Sequence, residues 1–251
     1  MDAASLKRLL TRVSKKRTSI SEALAELKDL PFAELGFATV DTHRALRLGF
    51  PEVVLGQWKT AEHCAAIALK LRPTGLPVLV TRLQPEKVHT LTAAFPEGAT
   101  WHETARIFEV HGKRRLRAGR VAVVCAGTSD LPVAEEAAVT ARAMGATVKL
   151  ITDVGVAGIH RLLKRRKELS SADAIVAIAG MEGALPTAVG GLVGVPVIAV
   201  PTSVGYGTSF DGLAALLGMM TSCASNVSVV NIDNGFGAGF QAALISRGRR
   251  R

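Results

Sequence analysis

The apolar residues in the second half of the chain fall in short unbroken runs rather than in alternation. Val, Ile and Ala dominate 121–125, 174–179 and 197–200, and a less complete run covers 147–151. Runs of this length are how strands buried on both faces of a parallel sheet read. Between them the pattern predicts helices over 131–144, 158–167, 185–192 and 211–220. An extended run over 226–232 and a last helix over 236–245 complete the series. Strand, short loop and helix in regular alternation predict an α/β fold with a doubly wound parallel sheet, of the flavodoxin or Rossmann kind.

The first half is less regular. Its pattern predicts a helix within 1–30, with Ser19 or Ser21 as cap, then a linker or short extended piece over 32–40. Strands over 52–56, 77–81 and 104–110 alternate with helices over 60–71, where Thr60 is the cap, and 85–94. This reads as a smaller α/β domain of irregular topology. The change of texture at Gly119 puts the domains at 1–118 and 119–251.

With 48% hydrophobic and only 4% aromatic residues, the core must be built from Ala, Val, Leu and Ile. The net charge of +10 suggests an anionic partner: nucleic acid, a membrane surface or a phosphorylated metabolite. The bases cluster at 7–17, 113–120, 161–167 and 247–251. None of these clusters is interleaved with aromatics and no nucleic-acid-binding motif is present, so nucleic acid is not expected as a partner. Solvated helix faces are the plain reading of the clusters. Cys64, Cys125 and Cys223 are widely spaced and form no CxxC pair, which fits a reducing cytoplasm. The start of the chain lacks the apolar core of a signal peptide. Two uncharged stretches, 183–210 and 212–232, are long enough to span a bilayer. Prolines and glycines interrupt the first and polar residues crowd the end of the second, so no membrane span is expected.

Four loops carry the candidate chemistry, and the pattern groups them on one rim, at the carboxyl ends of strands. The first, Ala126-Gly-Thr-Ser-Asp130, opens a helix; its N–H groups and hydroxyls suit a phosphate, and Asp130 suits a helix cap or a ribose hydroxyl. The second turns on Gly180 and Gly183 around a lone acid, Glu182, which serves either chemistry or the helix dipole. The third, 201–208, holds Ser203 and the only tyrosine, Tyr206. The fourth, 221–226, holds Cys223 in polar company, where a thiol is a candidate nucleophile rather than a small hydrophobe. In the first half, Asp41, Arg44 and Lys59 could grip a diphosphate or carboxylate, while Arg47 reads as a solvated helix face with local ion pairs. The six histidines show no metal-ligand spacing.

Residues 121–246 resemble the phosphoribosylaminoimidazole carboxylase and mutase (PurE) family of purine synthesis. The shared features are Gly-x-Ser-Asp at 127–130, Ala-Gly-x-x-x-x-Leu-Pro at 179–186 and Val-Pro-Val-Ile-Ala-Val-Pro at 195–201. Those enzymes carry a histidine just before the Leu-Pro, where this chain has Ala184. Nearly the whole chain is similar to a related family, the pyridinium-3,5-biscarboxylic acid mononucleotide synthases of nickel-pincer nucleotide cofactor synthesis. The carrying motifs are Asp-x-x-Arg and Arg-x-Gly-x-Pro-Glu-Val-Val-x-Gly within 41–56, Gly-Met-Glu-Gly-Ala-Leu-Pro at 180–186, and 223–239.

This resemblance implies a PurE-like fold and a carboxylase and hydrolase acting on nicotinic acid adenine dinucleotide. The reaction implied is carboxylation of the pyridinium ring at C5, with CO2 or bicarbonate as co-substrate, and cleavage of the diphosphate to release AMP. It implies Cys223 as nucleophile and Glu182 as base. Asp41, Arg44, Lys59, Gly127, Ser129, Asp130, Gly180, Gly183, Ser203 and Tyr206 would contact the substrate. A divalent cation such as Mg2+, its ligands not readable from the sequence, and a homo-octamer are also expected. The rival readings are a purine-type aminoimidazole ribonucleotide carboxylase or mutase, which Ala184 disfavours, and a non-catalytic nucleotide-binding protein. A nicotinamide-dependent dehydrogenase is disfavoured because Gly127 is not part of Gly-x-Gly-x-x-Gly.

Overall fold

A computed structural model describes residues 3–27, 32–114 and 116–248. The chain divides into two compact units, one comprising Met1–Trp101 with Ile107–Arg115, the other His102–Arg106 with Leu116–Arg251.

In the first unit the single helix expected over 1–30 is two, α1 (Ala3–Ser14) and α2 (Ile20–Leu27). The chain breaks at Lys16, whose φ is +54°. It restarts at Ser19, which accepts the Glu22 N–H (3.1 Å) while Glu22 accepts the Ser19 N–H (2.7 Å). This reciprocal pair is a capping box, encoded by Ser-x-x-Glu. Residues 1, 2 and 28–30 of that expected helix lie outside the described residues, as do Arg115 and 249–251 of the basic clusters. The expected linker holds two short antiparallel strands, β1 (Ala33–Glu34) and β2 (Thr39–Val40). Then come α3 (Arg44–Leu48), β3 (Val54–Leu55), α4 (Ala61–Leu71), β4 (Val78–Thr81), α5 (Val88–Ala94), β5 (Ala99–His102) and β6 (Ile107–Val110). Thr60 caps α4 by accepting the His63 N–H (3.1 Å). The sheet runs β3-β4-β6-β5, with β3 parallel and β6 antiparallel to β4. Cys64, Leu71, Val78, Val80, Leu91 and Phe108 form its core.

The second unit contains β7 (Arg120–Cys125), α6 (Leu131–Ala143), β8 (Thr147–Ile151), α7 (Ile159–Lys164), α8 (Arg166–Ser170), β9 (Ala174–Ala179), α9 (Leu185–Gly190), β10 (Val197–Pro201), α10 (Leu213–Met220), β11 (Val227–Val229) and α11 (Gly235–Gly248). Its five strands are all parallel in the order β11-β10-β9-β7-β8. Every residue of β9 and β10 is buried, as the unbroken apolar runs require. The chain leaves β7 toward one edge, through β8, and returns to build the other half from β9. That reversal places a crevice at the carboxyl ends of β7 and β9, where ligands of such sheets bind.

Several boundaries differ from the sequence pattern. The helix expected over 158–167 is split at Arg165 into α7 and α8. The helix expected from 211 starts at Leu213, because Phe210 and Asp211 have left-handed backbones (φ +44° and +50°). The last helix is longer than the pattern suggests, since Gly235 and Gly239 are packing positions within it. A β-carbon at either would collide with a carbonyl oxygen of α6, that of Val133 or Ala137 respectively. The two helices can approach this closely only where the side chain is absent. Buried Glu136 on α6 accepts the Phe236 N–H (3.1 Å) at the start of α11, and Asn234 accepts the Gly237 N–H (2.8 Å). Among the described residues no helix is long and apolar enough to cross a membrane.

The glycines of α11 give a matched pair of substitutions. Alanine is the better helix former by about 1 kcal/mol, so Gly248→Ala, with nothing within 4 Å of the new carbon, should leave stability equal or slightly higher. At Gly239 the obstacle is backbone that cannot rotate away. Gly239→Ala should therefore lose about 1 to 3 kcal/mol despite its propensity gain, measured by urea unfolding.

Candidate active site

The three loops that follow β7, β9 and β10 meet at one side chain. Asp130 is only 3% exposed. Its Oδ2 accepts the Gly127 N–H (2.9 Å), its Oδ1 accepts the Thr202 hydroxyl (2.8 Å), and the Gly180 N–H also bonds the carboxylate. One carboxylate thus ties the Gly127 loop, the start of the Glu182 loop and the end of β10 together. Burial pushes the Asp130 carboxyl above the usual aspartate range, with a smaller push from Asp233, against the lowering effect of those hydrogen bonds. Thr128 and Ser129 belong to the same loop, and Ser129 is exposed.

The Glu182 loop is held by backbone contacts. A β-carbon at Gly180 would strike the Val204 carbonyl, and the Met181 N–H donates to that same oxygen (2.9 Å). Met181 has φ +52° and Gly183 φ +68°. On the other side, a β-carbon at Gly183 would fall 2.8 Å from the Ala215 carbonyl of α10. Glu182 itself is exposed at the mouth. In the loop after β10, the Ser203 N–H donates to Asp233 Oδ1 (2.9 Å), and the Asp233 N–H to the Pro201 carbonyl (2.8 Å). Tyr206, 80% exposed, projects from that loop. Gly127, Ser129, Asp130, Gly180, Glu182, Gly183, Ser203 and Tyr206 thus come together on one rim. Thr202 and Asp233, which brace that rim, were not singled out from the sequence, since a lone Thr or Asp in a turn carries no distinguishing pattern.

The loop bearing Cys223 does not share the carboxyl rim. It runs from α10 into β11, and in a parallel sheet a helix-to-strand loop returns to the amino-terminal edge. Asn226 anchors it there, its Nδ2 donating to the carbonyls of Gly190, Val193 and Val195 (3.2, 3.1 and 3.0 Å) in the turn before β10. The loop is nonetheless linked to the Glu182 loop through α10 and α9. A β-carbon at Gly218 would lie 2.8 Å from the Glu182 carbonyl, and the Thr187 hydroxyl donates to Ser222 Oγ (2.7 Å). Of the three cysteines Cys223 is exposed, while Cys64 and Cys125 are buried. Burial raises both of these thiols, Cys125 to about 11, which makes them poor nucleophiles.

In the first unit, Arg47 grips Asp41 (Nη2 to Oδ2, 2.6 Å), the local ion pair expected for that arginine. Burial alone would raise the Asp41 carboxyl, but the Arg47 hydrogen bond and charge and the His43 and Arg44 N–H groups hold it below the usual range. The Arg44 side chain is half-buried and has no hydrogen-bond or ion-pair partner among the described residues. Lys59 Nζ donates to the Leu55 carbonyl (3.1 Å). Lys87, absent from the sequence candidates, donates to the Gly56, Gln57 and Lys59 carbonyls (3.3, 3.5 and 2.8 Å) and so shapes the loop that presents Lys59. Among the described residues no group of three or more His, Cys, Asp or Glu could hold a metal ion.

Comparison with known proteins gives a consistent picture. The model of the LarB/PurE-like N-terminal domain matches residues 32–124, and that of AIR carboxylase matches residues 120–250. An uncharacterized protein of Methanocaldococcus jannaschii is 38% identical over 221 residues, 83% of each chain. The N5-carboxyaminoimidazole ribonucleotide mutase of the same organism is 34% identical over 129 residues, 50% of this chain and 77% of the mutase. The crystal structure of a single-substitution variant of Treponema denticola PurE2 aligns with a TM-score of 0.39 at 19% identity, covering 53% of this chain and 93% of that one.

The buried carboxylate has a measurable signature. A carboxyl whose pKa is raised by folding favours the native state while protonated. Its contribution to stability is therefore lost as pH rises from the unfolded aspartate pKa through the raised folded value. In urea unfolding at several pH values between acid and neutral, the stability of the wild type relative to Asp130→Asn should fall as pH rises through that window. A flat or rising difference would contradict the burial account.

Proposed function

Because this chain belongs to the LarB/PurE-like family, carboxylase- or mutase-type enzymes of the PurE kind, we propose that it carboxylates the pyridinium ring of nicotinic acid adenine dinucleotide at C5 and hydrolyses the phosphoanhydride, releasing AMP. The product is pyridinium-3,5-biscarboxylic acid mononucleotide, for nickel-pincer nucleotide cofactor synthesis. The observation that carries this reading is the exposed thiol of Cys223, on a turn linked through Gly218 and Ser222 to the Glu182 loop.

An electron-poor pyridinium does not attack CO2. Since Cys223 lies off the rim that carries Glu182 of the same chain, the thiolate reaching the ring would come from a second copy in the assembly; its addition to a ring carbon breaks aromaticity and leaves a neutral enamine whose C5 is nucleophilic. C5 then bonds to CO2, drawn from bicarbonate, and briefly carries both the new carboxylate and its hydrogen. Glu182 takes that proton. The electron pair returns to the ring, and the C–S bond breaks to release the thiolate and restore the pyridinium. Water cleaves the diphosphate in a separate step. Ser129, Ser203, Tyr206 and the N–H groups of the Gly127 and Gly180 loops would hold the nucleotide, with Asp130 bracing them. Arg44 and Lys59 would meet the ring carboxylate or the diphosphate, with Asp41 ordering the segment before Arg44 through Arg47 and the His43 N–H. A divalent cation such as Mg2+ would enter with the diphosphate, as Mg2+ commonly does, rather than on a built protein site.

Assembly as a homo-octamer is part of the proposal. Helix α10 is apolar throughout, yet Leu213, Leu217 and Met220 are exposed, as are Phe210 and Tyr206 in the preceding segment. A helix without a polar face requires cover, which a second copy would provide. Unpaired thiols fit a cytoplasmic setting. The mutase relative keeps a purine-type reading in play, and aminoimidazole ribonucleotide supplied with bicarbonate separates the two.

Incubation of the protein with bicarbonate and nicotinic acid adenine dinucleotide should give AMP and the biscarboxylated mononucleotide by mass analysis. Cys223→Ala should bind the dinucleotide with little change but lose carboxylation by about a thousandfold or more. Full activity in that variant would remove the covalent step, and turnover of the ribonucleotide alone would favour the purine-type reading.

A further inference from the structure

The sequence carries a basic run at 161–167 that the site above does not use. The structure puts its first part at the carboxyl edge of the sheet, against a cavity of about 410 Å3 lined by Thr152, Asp153, Val154, Arg161, Lys164 and Arg165. The loop after β8, which forms one wall of the cavity, is bonded to the backbone just before the Gly127 loop. The Val154 N–H donates to the Cys125 carbonyl (3.2 Å), and the Gly155 N–H to the Ala126 carbonyl (2.9 Å). The loop after β8 is thereby fastened to the loop after β7, one residue from the nucleotide-binding turn.

Charge selects the ligand. The lining brings three cations and one carboxylate. Arg161 Nη1 pairs with Asp153 Oδ2 (2.6 Å), and Arg165 Nη1 is held from outside by Glu168 (2.9 Å). Lys164 has no ion pair among the described residues. Glu168 is shared with Lys149 (3.3 Å), so with both counted the cavity and its rim keep a surplus of two positive charges. A carboxylate ligand would leave one of them unbalanced, whereas a phosphate monoester, with about −1.5 to −2 at pH 7, balances both. The volume falls in the range of about 300 to 1,000 Å3 for small-molecule sites and exceeds what a lone phosphate needs. Asp153 sits in the left-handed region (φ +55°), a conformation that fixes its carboxylate on the cavity wall against Arg161.

We propose that this cavity is a nucleoside monophosphate subsite, in which Arg161, Lys164 and Arg165 hold the phosphate. Its occupant is the adenylate half of the dinucleotide, retained as AMP after cleavage. The choice of adenylate rests on the function proposed above, while the preference for a phosphate monoester rests on the cavity alone. The subsite would place the two halves of a dinucleotide in adjacent loops of one edge, with the scissile diphosphate between them.

AMP binding measured by isothermal titration tests this without any turnover. The wild type should bind AMP, and inorganic phosphate should compete with it. Arg161→Ala and Lys164→Glu should each weaken AMP binding by about tenfold or more, the scale of one charge-assisted contact. Lys167→Glu makes the same charge change as Lys164→Glu at an exposed position outside the cavity, and should change affinity less than twofold. Circular dichroism melts of the three variants confirm that each is folded. Equal weakening by Lys167→Glu, unchanged affinity in the two cavity variants, or failure of phosphate to compete would overturn the subsite. If AMP binds as described but the dinucleotide is not carboxylated, the subsite stands and the proposed reaction falls. If the reaction proceeds while AMP affinity ignores the cavity, the reverse holds.

Discussion

The architecture of the site depends on a carboxylate that solvent hardly reaches. Asp130 accepts hydrogen bonds from three segments that are distant in sequence: the turn after β7, the turn after β9 and the end of β10. An unpaired carboxylate so deeply buried would be costly, and its partners are what make it tolerable. The arrangement works in both directions. The donors stabilise the charge, and the charge fixes the donors, so the Gly127 and Gly180 turns keep a defined separation at the crevice between β7 and β9. Exposed groups such as Ser129 and Glu182 are thereby presented from a braced base.

Glycine carries the same logic into the packing. The Gly180 and Gly183 positions let the Glu182 loop lie against the Val204 and Ala215 carbonyls, and Gly218 lets α10 approach the Glu182 carbonyl in turn. Elsewhere in the same unit, Gly235 and Gly239 let α11 close on α6. Thus Asn-Ile-Asp-Asn-Gly-Phe-Gly-Ala-Gly at 231–239 is chiefly a structural device. Asn234 and Glu136 satisfy the first N–H groups of α11, Asp233 braces the Ser203 turn, and the glycines remove obstruction. A motif that looks functional in sequence here supports function through backbone approach.

The parallel sheet was legible because its strands are buried on both faces, which forces continuous apolar runs. The α4 cap was legible because a single side chain decides it, while the cap of α2 was narrowed only to Ser19 or Ser21, since the choice rests on the reciprocal bond from Glu22. Strand β5 was not, since Ala-Thr-Trp-His is half-buried along its whole length and neither alternates nor forms an apolar run. Nor could the start of α10 be read, because Phe210 and Asp211 adopt left-handed backbones and nothing in their side chains signals two such residues in succession. In the site, Asp130 was read as a cap for the following helix or a ribose ligand, but its side chain makes no cap bond to α6 and reaches back to the Gly127 N–H instead. Its tie to Thr202, 72 residues away, has no local signal. The Cys223 loop was grouped with the rim because it is polar and follows a helix. Its direction relative to the strands requires the topology to be known.

That last point bears on how one fold serves different chemistry. The crevice, its glycines and its buried carboxylate belong to the scaffold and constrain where a nucleotide can lie. What differs is carried by positions the scaffold leaves free. Ala184 precedes α9 at the position where the resemblance puts an imidazole in the purine enzymes, and it offers no titratable group there. On the proposed reading a thiol on the α10–β11 turn would meet the need for one without altering the rim, since Asn226 anchors the turn independently. In the proposed reaction the nucleophile would then stand off the carboxyl edge. The same reading would leave that edge for phosphate and for Glu182 as base.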